Sequence, residues 1–120
     1  MSETMKQQIE LTAADGHKFD AYMAGPAGKP KGGLVVIQEI FGVNPHIRSV
    51  CDGFAADGYL CVSPALFDRT ERKVELGYDP DGVARGRELR SKVSWEQVML
   101  DMSASVEAAS AAGKVGTVGY

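Results

Sequence analysis

Apolar residues follow two different spacings along this chain, and these spacings predict an alternation of strands and helices. Residues 8–12 and 18–23 alternate apolar and polar side chains around the turn signal Asp-Gly at 15–16, which predicts an antiparallel β-hairpin. After a loop rich in Gly, Pro and Lys at 25–33, residues 34–37 form an apolar run without alternation. Such a run is typical of a strand that is buried on both faces of a sheet.

A helix with one apolar face follows this buried strand. Asn44 can cap the helix, and Pro45 suits its first turn. Apolar residues then recur three or four positions apart until Gly58, at Ile47, Val50, Cys51, Phe54 and Ala55. Residues 59–62 form a second short apolar strand, which is ended by Ser-Pro at 63–64. The order strand, helix, strand therefore predicts a right-handed parallel crossover.

The rest of the chain contains an irregular stretch, a helix and a strand. Residues 68–92 show no clear period and hold seven of the thirteen basic residues, which indicates an excursion that carries part of a binding surface. Ser94 and Gln97 form a capping-box signature, and helical spacing continues to Gly113. Residues 114–120 alternate as a strand would. We expect one α/β domain with a mostly parallel sheet and an N-terminal antiparallel hairpin.

Composition and charge argue against several classes of function. The formal net charge of -3 gives no general attraction to nucleic acid or anionic membranes. The N-terminus is polar, and the longest aliphatic run, residues 34–37, is far too short to span a bilayer. The cysteines and histidines lack metal-ligand spacing, so no metal or other cofactor is expected. Cys51 and Cys61 are expected to be reduced core residues of a cytoplasmic protein.

Glu39 is the strongest candidate for chemistry. It follows the buried strand 34–37 and should therefore lie at the carboxyl end of the sheet, where open α/β folds place their ligand crevice. From position alone, a solvated loop acid or one side of a structural ion pair is an equally good explanation. The residues on either side of Glu39 shift the balance towards function.

Residues 38–44, Gln-Glu-Ile-Phe-Gly-Val-Asn, form the most specific motif of the chain. With Gly-Tyr at 58–59 and a strand that ends at Pro64, this motif resembles the dienelactone hydrolase family, whose members hydrolyse carboxylate-bearing enol lactones or related esters. The resemblance runs from about residue 9 to the last residue. It implies an α/β-hydrolase fold and hydrolysis of a lactone or small carboxylic ester. It also makes residues 1–120 the N-terminal part of a single domain.

The resemblance implies roles for individual residues. Glu39 matches the family carboxylate that contacts the nucleophilic thiol at rest, and the backbone N–H of Ile40 matches an oxyanion-hole donor. The last strand would lead into a nucleophile elbow, Gly-x-Cys-x-Gly or its Ser version, with Gly119 and Tyr120 in its first two positions. The nucleophile would follow Tyr120, and the Asp and His of the triad would come later. We therefore expect the triad to need a C-terminal half of the same fold, joined to this chain or supplied as a separate one.

Three further residues are candidates for substrate binding. Phe41 could line the apolar side of the pocket, although an aromatic residue beside a buried strand is more often part of the core. Arg85 or Arg87 stands near the position of a family arginine that binds substrate, and either one could pair with a substrate carboxylate. Acidic residues are interleaved with these arginines, so a solvated face of mixed charge is the alternative explanation.

Two other functions are consistent with the sequence. Residues 115–120, Val-Gly-Thr-Val-Gly-Tyr, could be the first strand of a dinucleotide-binding fold, but this interpretation leaves the motif at 38–44 unexplained. A hydrolase fold that only binds ligands would explain the lack of a complete triad. However, a central strand at 114–120 would then expose an open sheet edge, so we expect another segment to pair with it.

Overall fold

A single five-stranded mixed sheet forms the centre of the protein. The computed structural model describes residues 4–119. In chain order, the elements are β1 (Thr4–Thr12), β2 (Lys18–Pro26), β3 (Gly32–Val36), α1 (Pro45–Ala56), β4 (Tyr59–Pro64), α2 (Pro80–Ser91), α3 (Trp95–Ala109), a 3-10 turn (Ser110–Ala112) and β5 (Val115–Val118). The strands lie in the order β1-β2-β4-β3-β5.

The predicted combination of an antiparallel hairpin with a parallel sheet is confirmed. β1 pairs antiparallel with β2, and Ile9 lies opposite Ala21. Gly16 turns the hairpin with a φ of 89°, a conformation that side chains disfavour. β2 then joins β4 antiparallel, whereas β3 pairs in parallel with both β4 and β5. The hairpin therefore extends one side of a parallel three-stranded core.

Helix α1 forms the predicted crossover between β3 and β4. The side chain of Asn44 accepts a hydrogen bond from the Ile47 amide at 3.0 Å, and Pro45 occupies the first turn. Ile47, Cys51 and Ala55 are buried against one face of the sheet, as the apolar spacing predicts. The helical stripe and the strand residues together form the larger part of the core.

The opposite face of the sheet is covered by α3. Neighbouring strand residues point to opposite faces, so Val35 and Val62 pack with Ala109 of α3 while the residues beside them face α1. Cys51 and Cys61 are free and buried in the α1 cluster, as expected. Burial raises the thiol pKa of both cysteines to about 12, so neither is a reactive thiolate near neutral pH.

Helix α2 lies within the stretch 68–92, which the sequence predicted to be irregular. Asp79 caps this helix by accepting a hydrogen bond from the Gly82 amide at 2.8 Å. Only Gly82, Gly86 and Leu89 are buried along it, and Leu89 packs with Phe67 in a small separate cluster. Because two of its three buried positions are glycines, the helix has almost no hydrophobic pattern to recognise.

A buried ion pair connects α3 to the loop after β4. The carboxylate of Asp101 is 1% exposed and accepts two hydrogen bonds from Arg69, at 2.9 and 3.2 Å. Arg69 also pairs with Asp15 in the hairpin turn at 2.8 Å and holds the pKa of Asp15 at about 2. Because this pKa is lowered, the stabilisation from Asp15 is present at neutral pH and is lost as the pH falls towards 2.

β5 lies at one edge of the sheet. It pairs with β3, and no strand within residues 4–119 pairs with its other side. The predicted strand at 114–120 is observed at Val115–Val118, while Tyr120 lies outside the described residues. None of the helices between residues 4 and 119 is both long enough and apolar enough to cross a membrane.

Candidate active site

The segment after β3 is held by the side chain of Gln38. This side chain is buried, accepts a hydrogen bond from the Leu66 amide at 2.8 Å and donates one to the Glu39 carbonyl at 3.1 Å. β3 and β4 are parallel neighbours, so the segments that follow them meet at the carboxyl end of the sheet. Gln38 therefore fixes these two segments to each other and sets the position of the Glu39 backbone.

A tight turn follows Glu39. Gly42 has a φ of 85°, and a Cβ atom built at this position would lie 2.0 Å from the Val74 carbonyl oxygen. The Gly42 amide donates to the Glu39 carbonyl at 3.2 Å, and the Leu76 amide donates to the Phe41 carbonyl at 2.9 Å. The hydrogen bond between Gly42 and Glu39 thus closes the turn. The Gly42 backbone also packs so closely against the Val74 carbonyl that only glycine fits at this position.

A cavity of about 630 Å³ opens at this end of the sheet, which is within the usual size range of small-molecule sites. Its walls come from the segments after β3 and β4, the end of α2 and the start of α3. The residues that line it are Ile37, Gln38, Glu39, Ile40, Phe41, Leu66, Phe67, Arg90, Val93, Trp95 and Val98.

Three of the predicted site residues lie together in this cavity. Glu39, Ile40 and Phe41 all line it, and the ring of Phe41 stands edge-on to Tyr78 with centroids 4.4 Å apart. The carboxylate of Glu39 forms no ion pair with residues 4–119, and the hydrogen bonds among those residues include none donated by the Ile40 amide. Among the described residues, the Glu39 carboxylate therefore has no cationic partner and the Ile40 amide has no acceptor.

The two predicted arginines lie outside this cavity. Arg85, on α2, pairs with Glu71 and with Glu88, the latter at 2.8 Å, and these carboxylates raise the pKa of its guanidinium. Arg87 is exposed on the same helix and does not line the cavity. Their positions match the mixed-charge face that the sequence left open as an alternative. A substrate-binding role for either arginine stays a prediction.

Two cavity residues were not recognised from the sequence. Arg90, in the last turn of α2, lines the cavity and makes no ion pair with the part of the chain that the structure describes. Trp95 opens α3 beside it and is 76% exposed. Gly82, Gly86 and Arg90 are spaced four residues apart, so they lie along one side of a helix. The position of Arg90 could therefore be inferred only if α2 were recognised as a helix.

The fold around this cavity is that of the α/β-hydrolases. A crystal structure from Klebsiella pneumoniae subsp. pneumoniae, assigned to the dienelactone hydrolases, matches with a TM-score of 0.76 and 31% identity. The match covers 97% of this chain and 50% of that chain. A dienelactone hydrolase-like promiscuous phosphotriesterase from metagenomic libraries, 14% identical, shares the fold with a TM-score of 0.71, over 98% of this chain and 49% of that one.

Sequence comparison agrees with the fold. The profile of the dienelactone hydrolase family matches residues 19–120. A carboxymethylenebutenolidase from Pseudomonas putida is 35% identical over 97% of this chain and 51% of its own length. Carboxymethylenebutenolidase 1 from Cupriavidus pinatubonensis is 32% identical over 93% of this chain and 50% of its own length. The chain belongs to the dienelactone hydrolase family and spans about half the length of these curated relatives.

Proposed function

We propose that this chain is the N-terminal part of a hydrolase that cleaves a lactone or small carboxylic ester. The observation that carries the proposal is that Glu39 and Ile40 both line one cavity at the carboxyl ends of β3 and β4, where neither the carboxylate nor the amide has a partner among residues 4–119. Family membership adds support, because the relatives are named for lactone hydrolysis. The proposed domain comprises residues 1–120 and a C-terminal half of the same fold.

The proposed chemistry is acyl transfer followed by hydrolysis. A Cys or Ser that follows Tyr120 attacks the substrate carbonyl carbon, and the carbonyl oxygen takes up negative charge. The Ile40 amide donates a hydrogen bond to that oxygen, while the Glu39 carboxylate contacts the nucleophile before substrate binds. The carbon–oxygen bond of the ester then breaks, and the alcohol leaves with the proton that the nucleophile gave up. Water then hydrolyses the acyl-enzyme to the free acid and the free nucleophile. Glu39 and Ile40 thus support a reaction whose nucleophile comes from another segment.

The C-terminal half is the proposed partner of this chain, whether joined to it or separate. β5 has one side without a strand among residues 4–119, and a further parallel strand fits there. The relatives supply a reason to expect such a segment, because about half of their length has no counterpart in this chain. The cytoplasmic location expected from the sequence stays a prediction.

The cavity also bears on the substrate. Phe41, Trp95 and Val98 supply an apolar wall, and Arg90 supplies a cation that no described carboxylate neutralises. Arg90 is therefore the best placed of the arginines to meet a substrate carboxylate. Arg85 and Arg87 remain alternatives, but their side chains would have to move towards the cavity to contact a substrate there.

Thiol labelling tests the proposed nucleophile in the full-length gene product. Iodoacetamide should abolish hydrolysis of p-nitrophenyl acetate as it labels one cysteine directly after Tyr120. Cys51 and Cys61 should stay unlabelled in the folded protein, because burial raises their thiol pKa to about 12. If the position holds serine, a fluorophosphonate should modify it instead. A protein without ester hydrolysis, or inactivation through a different residue, would rule out the proposal.

Replacing Glu39 with glutamine tests the role of the carboxylate. The variant should change the rate of thiol alkylation and the pH profile of kcat, with a loss of about 10-fold in kcat, because the nucleophile loses its charged contact. Glu75→Gln is the matched control, since Glu75 lies in the neighbouring segment, pairs with Arg48 at 3.0 Å and does not line the cavity. Equal behaviour of the two variants would reduce Glu39 to a structural acid.

A binding-only protein is the second candidate. The cavity at the carboxyl ends of β3 and β4 can hold an ester whether or not a nucleophile completes it. This candidate predicts that the full-length protein binds esters, with a change in Trp95 fluorescence, but releases no product. Family membership gives no support to the dinucleotide-binding alternative.

A further inference from the structure

Helix α2 contacts the backbone of Ile40 through Gly86. A Cβ atom built on Gly86 would lie 2.3 Å from the Ile40 carbonyl oxygen and 3.1 Å from the Ile40 Cβ. Real Cβ atoms essentially never approach an oxygen to 2.3 Å, so a larger residue here would displace the helix or Ile40. The absence of a side chain is therefore what allows α2 to rest directly on this part of the cavity wall.

Nothing in the helix itself explains a glycine at this position. Gly86 lies in the middle of α2, where glycine weakens a helix relative to alanine. It is buried, so it does not serve to expose the backbone to solvent. The close contact with Ile40 accounts for the residue, because every other amino acid would collide there.

The rest of the turn leaves Ile40 little freedom to avoid such a collision. On one side, Gln38 is hydrogen bonded to the Leu66 amide at 2.8 Å. On the other side, Gly42 packs against the Val74 carbonyl, and the Phe41 carbonyl accepts a hydrogen bond from the Leu76 amide. A push on the Ile40 carbonyl would therefore rotate the Ile40 backbone between these two anchors.

We infer that Gly86 is a positioning residue that sets the direction of the Ile40 amide. The inference rests on the proposed role of Ile40 as the oxyanion donor and adds the element that holds it in place. An oxyanion donor acts best when its geometry is fixed before the reaction, since no energy is then spent on reorienting it. The contact between Gly86 of α2 and the Ile40 carbonyl helps to fix the Ile40 backbone in this way.

The test is Gly86→Ala in the full-length protein, assayed with p-nitrophenyl acetate. A displacement of about 1 Å at a catalytic group can cost on the order of 100-fold in rate, so kcat should fall by roughly 10- to 100-fold. KM should change by less than about 3-fold, because the donor acts mainly in the transition state. An unchanged kcat would overturn the inference.

Two other helical glycines serve as controls. A Cβ at Gly82 would lie 1.8 Å from the Gly77 carbonyl oxygen, so Gly82→Ala also strains α2 but does not touch Ile40. A Cβ at Gly53 of α1 meets nothing within 4 Å. We expect Gly82→Ala to lower the melting temperature without a comparable loss of kcat. Gly53→Ala should leave kcat unchanged and raise the melting temperature slightly, because alanine favours a helix interior more than glycine does. Equal losses of kcat in Gly82→Ala and Gly86→Ala would mean that general damage to α2 is responsible.

A measurement without turnover separates this inference from the proposed function. In an NMR spectrum of the full-length protein, Gly86→Ala should shift the Ile40 amide resonance more than Gly82→Ala does. If wild type hydrolyses no ester, the proposed function fails, and the Ile40 resonance still decides whether Gly86 positions this amide. If Gly86→Ala does not fold, Leu89→Val takes its place, because it loosens α2 from Phe67 without adding bulk at Ile40. An unchanged kcat in that variant, or a loss of kcat no larger than in Gly82→Ala, would count against the inference.

Discussion

Replacing Gly42 with alanine should lower the free energy of unfolding by about 3 kcal/mol and kcat by roughly 100-fold. Two costs combine at this residue. Its φ of 85° disfavours any side chain, and the new Cβ would stand 2.0 Å from the Val74 carbonyl oxygen. Relief of the collision requires the turn to move away from Val74, which carries Glu39 and Ile40 out of place. Urea denaturation followed by circular dichroism measures the first effect, and ester hydrolysis measures the second.

Gly16→Ala is the matched control for this variant. Gly16 has a nearly identical φ of 89°, but a Cβ there meets nothing within 4 Å. Its substitution should therefore cost only the strain of the left-handed backbone, about 1 kcal/mol, and leave kcat unchanged. The difference between the two variants isolates the contact with Val74. If both variants lose the same stability and keep the same kcat, the close packing of the turn has no role.

Replacing Asp101 with alanine should lower the free energy of unfolding by about 3 kcal/mol, because it removes one partner from a buried ion pair. The carboxylate is 1% exposed and accepts two hydrogen bonds from Arg69, whose own side chain is 11% exposed. Without Asp101, the guanidinium loses the partner that compensates for its burial between α3 and the loop after β4. Chemical denaturation at neutral pH measures the loss.

The second partner of Arg69 provides the comparison. Asp15 pairs with the same guanidinium at 2.8 Å but is far more exposed than Asp101. Asp15→Ala should therefore destabilise much less, since solvent screens an exposed pair and can replace the lost contact. Asp101→Asn should recover part of the loss by keeping an acceptor for Arg69. Similar losses in Asp15→Ala and Asp101→Ala would show that the burial of Asp101 does not govern its contribution.

Most of the fold could be predicted from the sequence because its hydrophobic residues repeat clearly. The hairpin, the β3-α1-β4 crossover and α3 each have an apolar period that matches their structure. Helix α2 lacks this signal, since it meets its neighbours through Gly82, Gly86 and a single leucine. Only buried hydrophobic side chains leave a periodic pattern in the sequence, so a helix that packs through its backbone leaves none.

The site residues also differ in how far the sequence predicts their location. Glu39, Ile40 and Phe41 are adjacent in sequence and directly follow a buried strand, so their common location could be predicted. The cationic part of the cavity depends on which side of α2 faces the turn. That helix was not predicted. Arg85 and Arg87 were chosen because they stand near the position of a family arginine that binds substrate, and the orientation of α2 adds Arg90, which lines the cavity.

The residue composition of β5 indicates whether its unpaired side is protected against pairing with another strand. Strands at the true edge of a sheet commonly carry a lysine, a proline or a bulge that prevents pairing with other chains. Val115–Val118, Val-Gly-Thr-Val, contains neither a charge nor a proline and pairs in regular register with β3. This strand therefore has the composition of an interior strand, and its open hydrogen-bonding groups can template whichever extended segment reaches them first.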